Sequence, residues 1–152
     1  MSRRRARKRR IMRLFPQLRS SHFRISSHPT AAYNCIAWAA GASEGWWEYR
    51  RGYYWPPGVP RVGTVAAAIQ TFESLGFEQC ASNDLEPGFT KVAIYGDTAG
   101  YTHAARQLDD GKWASKIGKL EDIEHVSLGD LVGSAYGDVA AILKKPWPPA
   151  TE

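Results

Sequence analysis

The chain has 152 residues, 43% of them hydrophobic and 12% aromatic. That suffices for one domain with a real core, is short for two, and excludes a chain disordered throughout. The net charge of +5 is uneven: residues 1–24 hold ten Lys/Arg and no Asp or Glu, leaving 10 basic against 15 acidic side chains, a net −5, in residues 25–152. A folded part of that sign has no basic face of its own with which to hold nucleic acid.

In chain order, residues 1–14 read as a disordered basic arm. The start is too charged, and the stretch after it too poor in apolar residues, for a secretory signal. The same composition fits an organelle transit peptide, a nucleic-acid-binding arm, or extra coding from an upstream start; a solvated arm is the simplest of these. Residues 3–13 would then bind nucleic acid or an anionic surface weakly and with little specificity. A cytoplasmic location is expected from the missing export signal, with a non-classical export route left open. No apolar run reaches the roughly 18 residues of a membrane helix. Two cysteines, Cys35 and Cys80, make no disulfide framework.

The domain is expected over residues 15–146, with a tail over 147–152. Phe23 and Ile25 can form a short extended piece. Asn34 can cap a helix over 34–40 that stops at Gly41, and its Ala, Ile and Trp residues on nearly every side make it a core helix. Cys35 falls in its first turn, where partial positive charge favours thiolate over thiol. Residues 46–61 are a loop dense in aromatics, with Pro56, Pro57 and Pro60 excluding regular structure. Thr64 caps a second helix, in which Val65, Ala68, Ile69, Phe72 and Leu75 recur at helical spacing up to Gly76.

The pattern then turns to strands: Phe77–Cys80, Thr90–Tyr95, and Tyr101–Leu108 with Lys112–Ile117 around the Asp109-Asp110-Gly111 turn. Residues 121–137 are mixed, and Asp138–Lys144 is a strand or a helix. Helices first and strands afterwards give an α+β fold with an antiparallel sheet.

A nucleophilic thiol needs a base, and the base needs an orienting group. Of His22, His28, His103 and His125, only His103 lies in a strand with small neighbours, Ala104 and Ala105. A cysteine opening a helix, with a strand histidine later in the chain, is the order of papain-like enzymes. The segments Tyr33-Asn34-Cys35-Ile36-Ala37-Trp38-Ala39-Ala40-Gly41, Trp46-Trp47, Thr102-His103-Ala104-Ala105-Arg106, Ser115-Lys116-Ile117-Gly118 and Asp122-Ile123-Glu124-His125 resemble a family of short, uncharacterised bacterial proteins. That family in turn is similar to the papain-like NlpC/P60 cysteine peptidases.

The resemblance, over about Phe15 to Pro146, implies a papain-like α+β fold with N-terminal helices on an antiparallel sheet. It implies a cysteine hydrolase of a peptide, isopeptide or amide bond, with a peptide or peptidoglycan-like substrate; no cofactor is expected, and a zinc site from Cys35, His103 and His125 is set aside because the spacing matches no zinc pattern. Cys35 would be the nucleophile and His103 the base. The third polar position falls on the next strand, at Ser115 or Lys116. A three-residue loop at 109–111 puts Ser115 on the face of His103; a two-residue loop puts Lys116 there. Glu124 and His125 are alternative orienting residues. The backbone N–H of Cys35, with Asn34 as second donor, would bind the oxyanion, and Trp46, Trp47 and Trp55 would wall the cleft. The alternative is a non-catalytic binding module on the same scaffold.

Overall fold

The computed structural model describes residues 2–148. Seven strands form a single antiparallel sheet: β1 (Phe23–Ile25), β2 (Glu78–Cys80), β3 (Phe89–Asp97), β4 (Gly100–Gln107), β5 (Trp113–Lys116), β6 (Asp122–His125) and β7 (Asp138–Pro146). Their order is β1-β6-β5-β4-β3-β7-β2, so β3 to β6 make a meander. Three helices, α1 (Arg3–Leu14), α2 (Cys35–Ala39) and α3 (Val65–Glu73), complete the α+β fold. No helix among the described residues is long and apolar enough to cross a membrane.

The central strands are buried on both faces, because each face carries its own apolar layer. Along β3, Val92 and Ile94 face a cluster with Ile36, Ala39, Ala68 and Phe72 of α2 and α3. Ala93 and Tyr95 face the opposite way, toward Ile11 and Phe15 at the end of α1 and toward Leu128 and Leu131. This period-2 split decides which side of the sheet every later side chain occupies.

Asn34 and Thr64 cap their helices as expected, accepting from Ala37 N (3.1 Å) and Ala67 N (3.1 Å). The turn after β4 is the three-residue one: Gln107 pairs with Trp113, and Leu108 N donates to Lys112 O at 2.7 Å. Asp138–Pro146 is a strand, completing the ladder of β3.

The first residues differ from the expected loose arm. Arg3–Leu14 is a helix, capped by Ser2 Oγ accepting from Arg5 N at 3.2 Å. Arginine is a good helix former, and the second half of the segment supplies the anchor: Ile11 is fully buried, with Phe15 and Leu18 buried just beyond. Arg10 adds a two-pronged bond, 2.6 and 2.8 Å, to the fully buried carboxylate of Glu121. Of the expected tail, residues 149–152 lie outside the described residues.

Candidate active site

Asn34 is the residue that fixes the start of α2. Its Oδ1 accepts from Ala37 N and Trp47 N, each at 3.1 Å, and its Nδ2 donates to Trp47 O at 2.8 Å. The amide thereby ties the helix to the aromatic loop. These bonds use Oδ1 and one of the two Nδ2 hydrogens, so the expected role of second oxyanion donor falls to the other.

Cys35 comes next, as the first residue of α2, and packs with the α2–α3 layer. As a residue it is half-buried and borders a cleft of about 280 Å³ with Asn34, Trp46, Tyr49, Arg50 and Tyr101. Its sulfur is turned inward, and burial pushes the thiol up from its ordinary value. The backbone N–H groups of Ala104, Ile36 and Cys35 itself pull the other way, as does the Lys116 ammonium. Burial outweighs them. A resting thiol therefore replaces the thiolate expected from the helix terminus alone.

The Ala104 contact locates the sulfur on the sheet. β4 pairs with β5 only at Arg106↔Ala114 and Gln107↔Trp113, so beyond those residues the two strands part and leave a seam. The Cys35 sulfur lies at this seam, against the Ala104 N–H.

His103 precedes Ala104 and faces the other layer, because it pairs with Tyr95 while Ala104 pairs with Ile94. Its ring lies parallel to that of Tyr136, centroids 4.2 Å apart, with Tyr95 at 5.4 Å. His103 Nε2 is 2.9 Å from Ser115 Oγ, and Ser115 Oγ is 2.8 Å from His125 Nε2. All three side chains are fully buried. Among the described residues nothing bonds His103 Nδ1, a buried atom, so no hydrogen bond joins Cys35 to the imidazole. Cys35 thus packs in the α2–α3 layer and the His103 ring in the opposite one, with the N–H of Ala104, the residue after His103, turned to the sulfur.

The proton positions are set by one carbonyl. His125 Nδ1 lies 2.9 Å from the carbonyl oxygen of Ser127, which can only accept, so Nδ1 carries the proton. In neutral His125, Nε2 is then an acceptor and takes the Ser115 hydroxyl proton. Ser115 Oγ in turn accepts from His103 Nε2–H. The His103 lone pair is left on Nδ1. Both rings are neutral: burial, then the neighbouring His125, holds His103 well below its ordinary value, and burial lowers His125 as well.

The remaining expected residues separate. Glu124 pairs with Ala114 across the ladder, on the face away from Ser115, and bonds Arg24 at 2.6 Å. That corrects its reading as an orienting residue: in a strand, neighbours in sequence point to opposite faces. Lys116 shares the α2 face, fully buried, with its ammonium donating to the carbonyls of Gly118 and Leu120. Trp46 lines the cleft and donates Nε1–H to Ala31 O at 2.6 Å. Trp47 is half-buried against the core, 4.7 Å from Tyr54. Trp55 is core, 4% exposed, its indole N–H satisfied by Pro60 O at 3.0 Å, so it is no cleft wall.

Two contributors escaped the sequence reading. Tyr136, in the stretch read only as mixed, covers the face of His103. Gly100, at φ +139°, lets the β3–β4 tip approach the Gly63 carbonyl so closely that an added Cβ would stand 2.0 Å from that oxygen. The tip is thereby docked on the segment before α3, and Gly63, Ala99 and Tyr101 edge the cleft. A glycine after a strand was the only signal available.

Among comparisons with known proteins, a family model described as a domain of unknown function (DUF7689) matches residues 24–144, a span that holds Cys35, His103, Ser115 and His125. No curated protein matches the chain. No solved structure matches it.

Proposed function

The chain belongs to that family, and we propose that it is a papain-like cysteine hydrolase, akin to the NlpC/P60 peptidases, acting on a peptide, isopeptide or amide bond. The observation that carries this reading is the unpartnered, buried His103 Nδ1, left with the lone pair by the Ser127–His125–Ser115 chain, in the residue next to Ala104, whose N–H meets the Cys35 sulfur. A base held in one tautomer beside a thiol is what acyl transfer needs.

In the proposed reaction His103 Nδ1 takes the thiol proton as Cys35 Sγ attacks the carbonyl carbon. The tetrahedral adduct collapses to a thioester, and Nδ1 returns the proton to the departing amine. Water, deprotonated at Nδ1, then splits the thioester to a carboxylic acid and the free thiol. Closure of sulfur onto nitrogen accompanies substrate binding, since catalytic contacts are commonly loose in the empty state. The Cys35 N–H is the backbone donor nearest the new oxyanion, and the cleft edged by Trp46, Tyr49 and Tyr101 would seat the substrate.

A peptide-like electrophile is expected to label Cys35 and leave Cys80 free in the native chain, with labelling lost in His103→Ala. Equal labelling of both cysteines, or labelling of Cys35 only after denaturation, would count decisively against a hydrolase.

One observation favours the alternative, a binding module on the same scaffold: burial holds the Cys35 thiol up rather than down. The pH dependence of iodoacetamide alkylation separates the two. A hydrolase shows a rate in His103-intact chain well above that of His103→Ala at neutral pH. A module shows the same rate in both, rising only above the ordinary thiol value of about 8.5.

A further inference from the structure

Helix α1 holds eight basic side chains in its 12 residues and no acidic one. Three of them dock the helix: Arg7 and Arg10 face the Glu121 carboxylate, and the Lys8 ammonium donates to the carbonyls of Ser20 (2.8 Å) and Phe23 (2.9 Å). The other five, Arg3, Arg4, Arg5, Arg9 and Arg13, are exposed and form no ion pair among the described residues. We infer that this free face of α1 is a docking surface for double-stranded DNA, with its arginines on the phosphates that flank the major groove and little reading of the bases.

The arrangement is unfavourable in the free chain. Arg5, Arg9 and Arg13 follow one another at helical i, i+4 spacing, about 6 Å apart along the axis, and like charges so placed repel. Arg3, Arg4 and Arg5 crowd the first turn, at the positive end of the helix dipole, with no acidic residue beside them. A run of phosphates relieves both costs, and arginine forks match phosphate oxygens two at a time. Residues 25–152 carry a net charge of −5, which confines a polyanion to α1.

The shape of the helix specifies the shape of the polyanion. Residues 2–6 are all exposed, and successive residues turn by about 100°, so Arg3, Arg4 and Arg5 leave the helix in three directions. A flat membrane meets one of those sides; the walls of a groove meet all of them. The major groove of B-DNA, about 12 Å wide, admits a helix about 10–12 Å across, whereas that of A-form RNA is too narrow. A membrane-bound helix also needs an apolar face to sink, and α1 turns Ile11 and Met12 into the core of its own domain. Single strands are held by aromatic side chains that stack on the bases, and the exposed residues of α1 include none. The helix is already folded and anchored through Ile11 and Arg10, so binding has no arm to order. It lies ahead of residues 24–144, the span of the family match, and neither Cys35 nor its cleft takes part.

Anisotropy of a fluorescent, mixed-sequence DNA duplex titrated with the full chain tests this. A Kd on the order of 10 μM is expected at about 50 mM salt, weakening about a hundredfold at about 200 mM, the response of roughly four phosphate contacts. Arg5→Gln combined with Arg9→Gln, at exposed positions where glutamine keeps the helix, should reduce the log–log salt slope by about 2. Arg51→Gln, an exposed arginine of the aromatic loop, and Cys35→Ser should leave binding unchanged. Unlabelled RNA duplex and single-stranded DNA should compete several-fold less well than duplex DNA, and vesicles of phosphatidylcholine and phosphatidylserine not at all. A salt slope near zero, an Arg51→Gln loss equal to that of the double variant, or RNA, single strand or vesicles competing as well as duplex DNA would each overturn the inference.

Discussion

Ser115 holds two hydrogen bonds at once, accepting from His103 and donating to His125. Ser115→Ala removes both and frees the His103 ring to carry its proton on either nitrogen. Alkylation of Cys35 at neutral pH is expected to slow by about tenfold or more, within the usual range for a misplaced base, while the circular dichroism spectrum stays native. An unchanged rate would mean that the relay plays no part in activating the thiol. The serine was legible in the sequence because strand parity and a three-residue loop put it on the His103 face. Parity also excludes Glu124, whose face is set by Ala114. What could not be read was the direction of the relay. It depends on a backbone carbonyl, that of Ser127, and main-chain atoms carry no residue-specific signal. The same holds for Asn34, whose Oδ1 and one Nδ2 hydrogen bond the Trp47 backbone.

Helix α1 shows how an element can be hidden by its own charge. Its first turn is fully exposed and cationic, the look of a solvated arm, while Ile11, Phe15 and Leu18 bury its far end. Arg10 is half-exposed, but its partner Glu121 is fully buried. Arg10→Ala would leave that carboxylate only Arg7, at 3.9 Å. A cost of about 2 kcal/mol is expected, below that of a wholly buried pair. Arg5→Ala, at an exposed position, should cost within about 0.5 kcal/mol. Urea midpoints of the two variants test this, and equal values would show that α1 is not docked through Glu121. Helices α2 and α3 were legible to within a residue or two because their caps are local: Asn34 and Thr64 start them, and Gly41 and Gly76, at φ of +90° and +96°, come just after their ends, whereas β6 fell in a stretch read only as mixed and β7 was read as a strand or a helix. The docking of α1 is a long-range event, 111 residues apart in sequence, and no window of the chain contains both partners.

Across the whole molecule, two apolar layers enclose two neutral imidazoles between the sheet and the covering of Tyr136, Leu128 and Leu131. Unfolding returns both rings to water, where a histidine takes up a proton near pH 6.5. The folded values of His103 and His125 lie lower, mainly through burial. Above about pH 6.5 neither state binds the protons, and these two groups leave stability independent of pH. Below it the unfolded chain binds them and the folded chain does not, so stability falls as pH drops from about 6.5 toward the folded values. Each histidine contributes a slope of up to about 1.4 kcal/mol per pH unit. Urea unfolding at about pH 7.5, 6.5 and 5.5 should give a plateau and then a fall. His125→Gln, which keeps a polar side chain beside Ser115, should remove one proton's share of that slope. A flat profile across this range in the wild-type chain would show that the rings are reached by water or already charged when folded. The same burial keeps His103 a base below the pH at which an exposed imidazole is spent. Cys35 reactivity in mild acid should therefore decline with the loss of folded chain, and the two curves, measured side by side, should fall together.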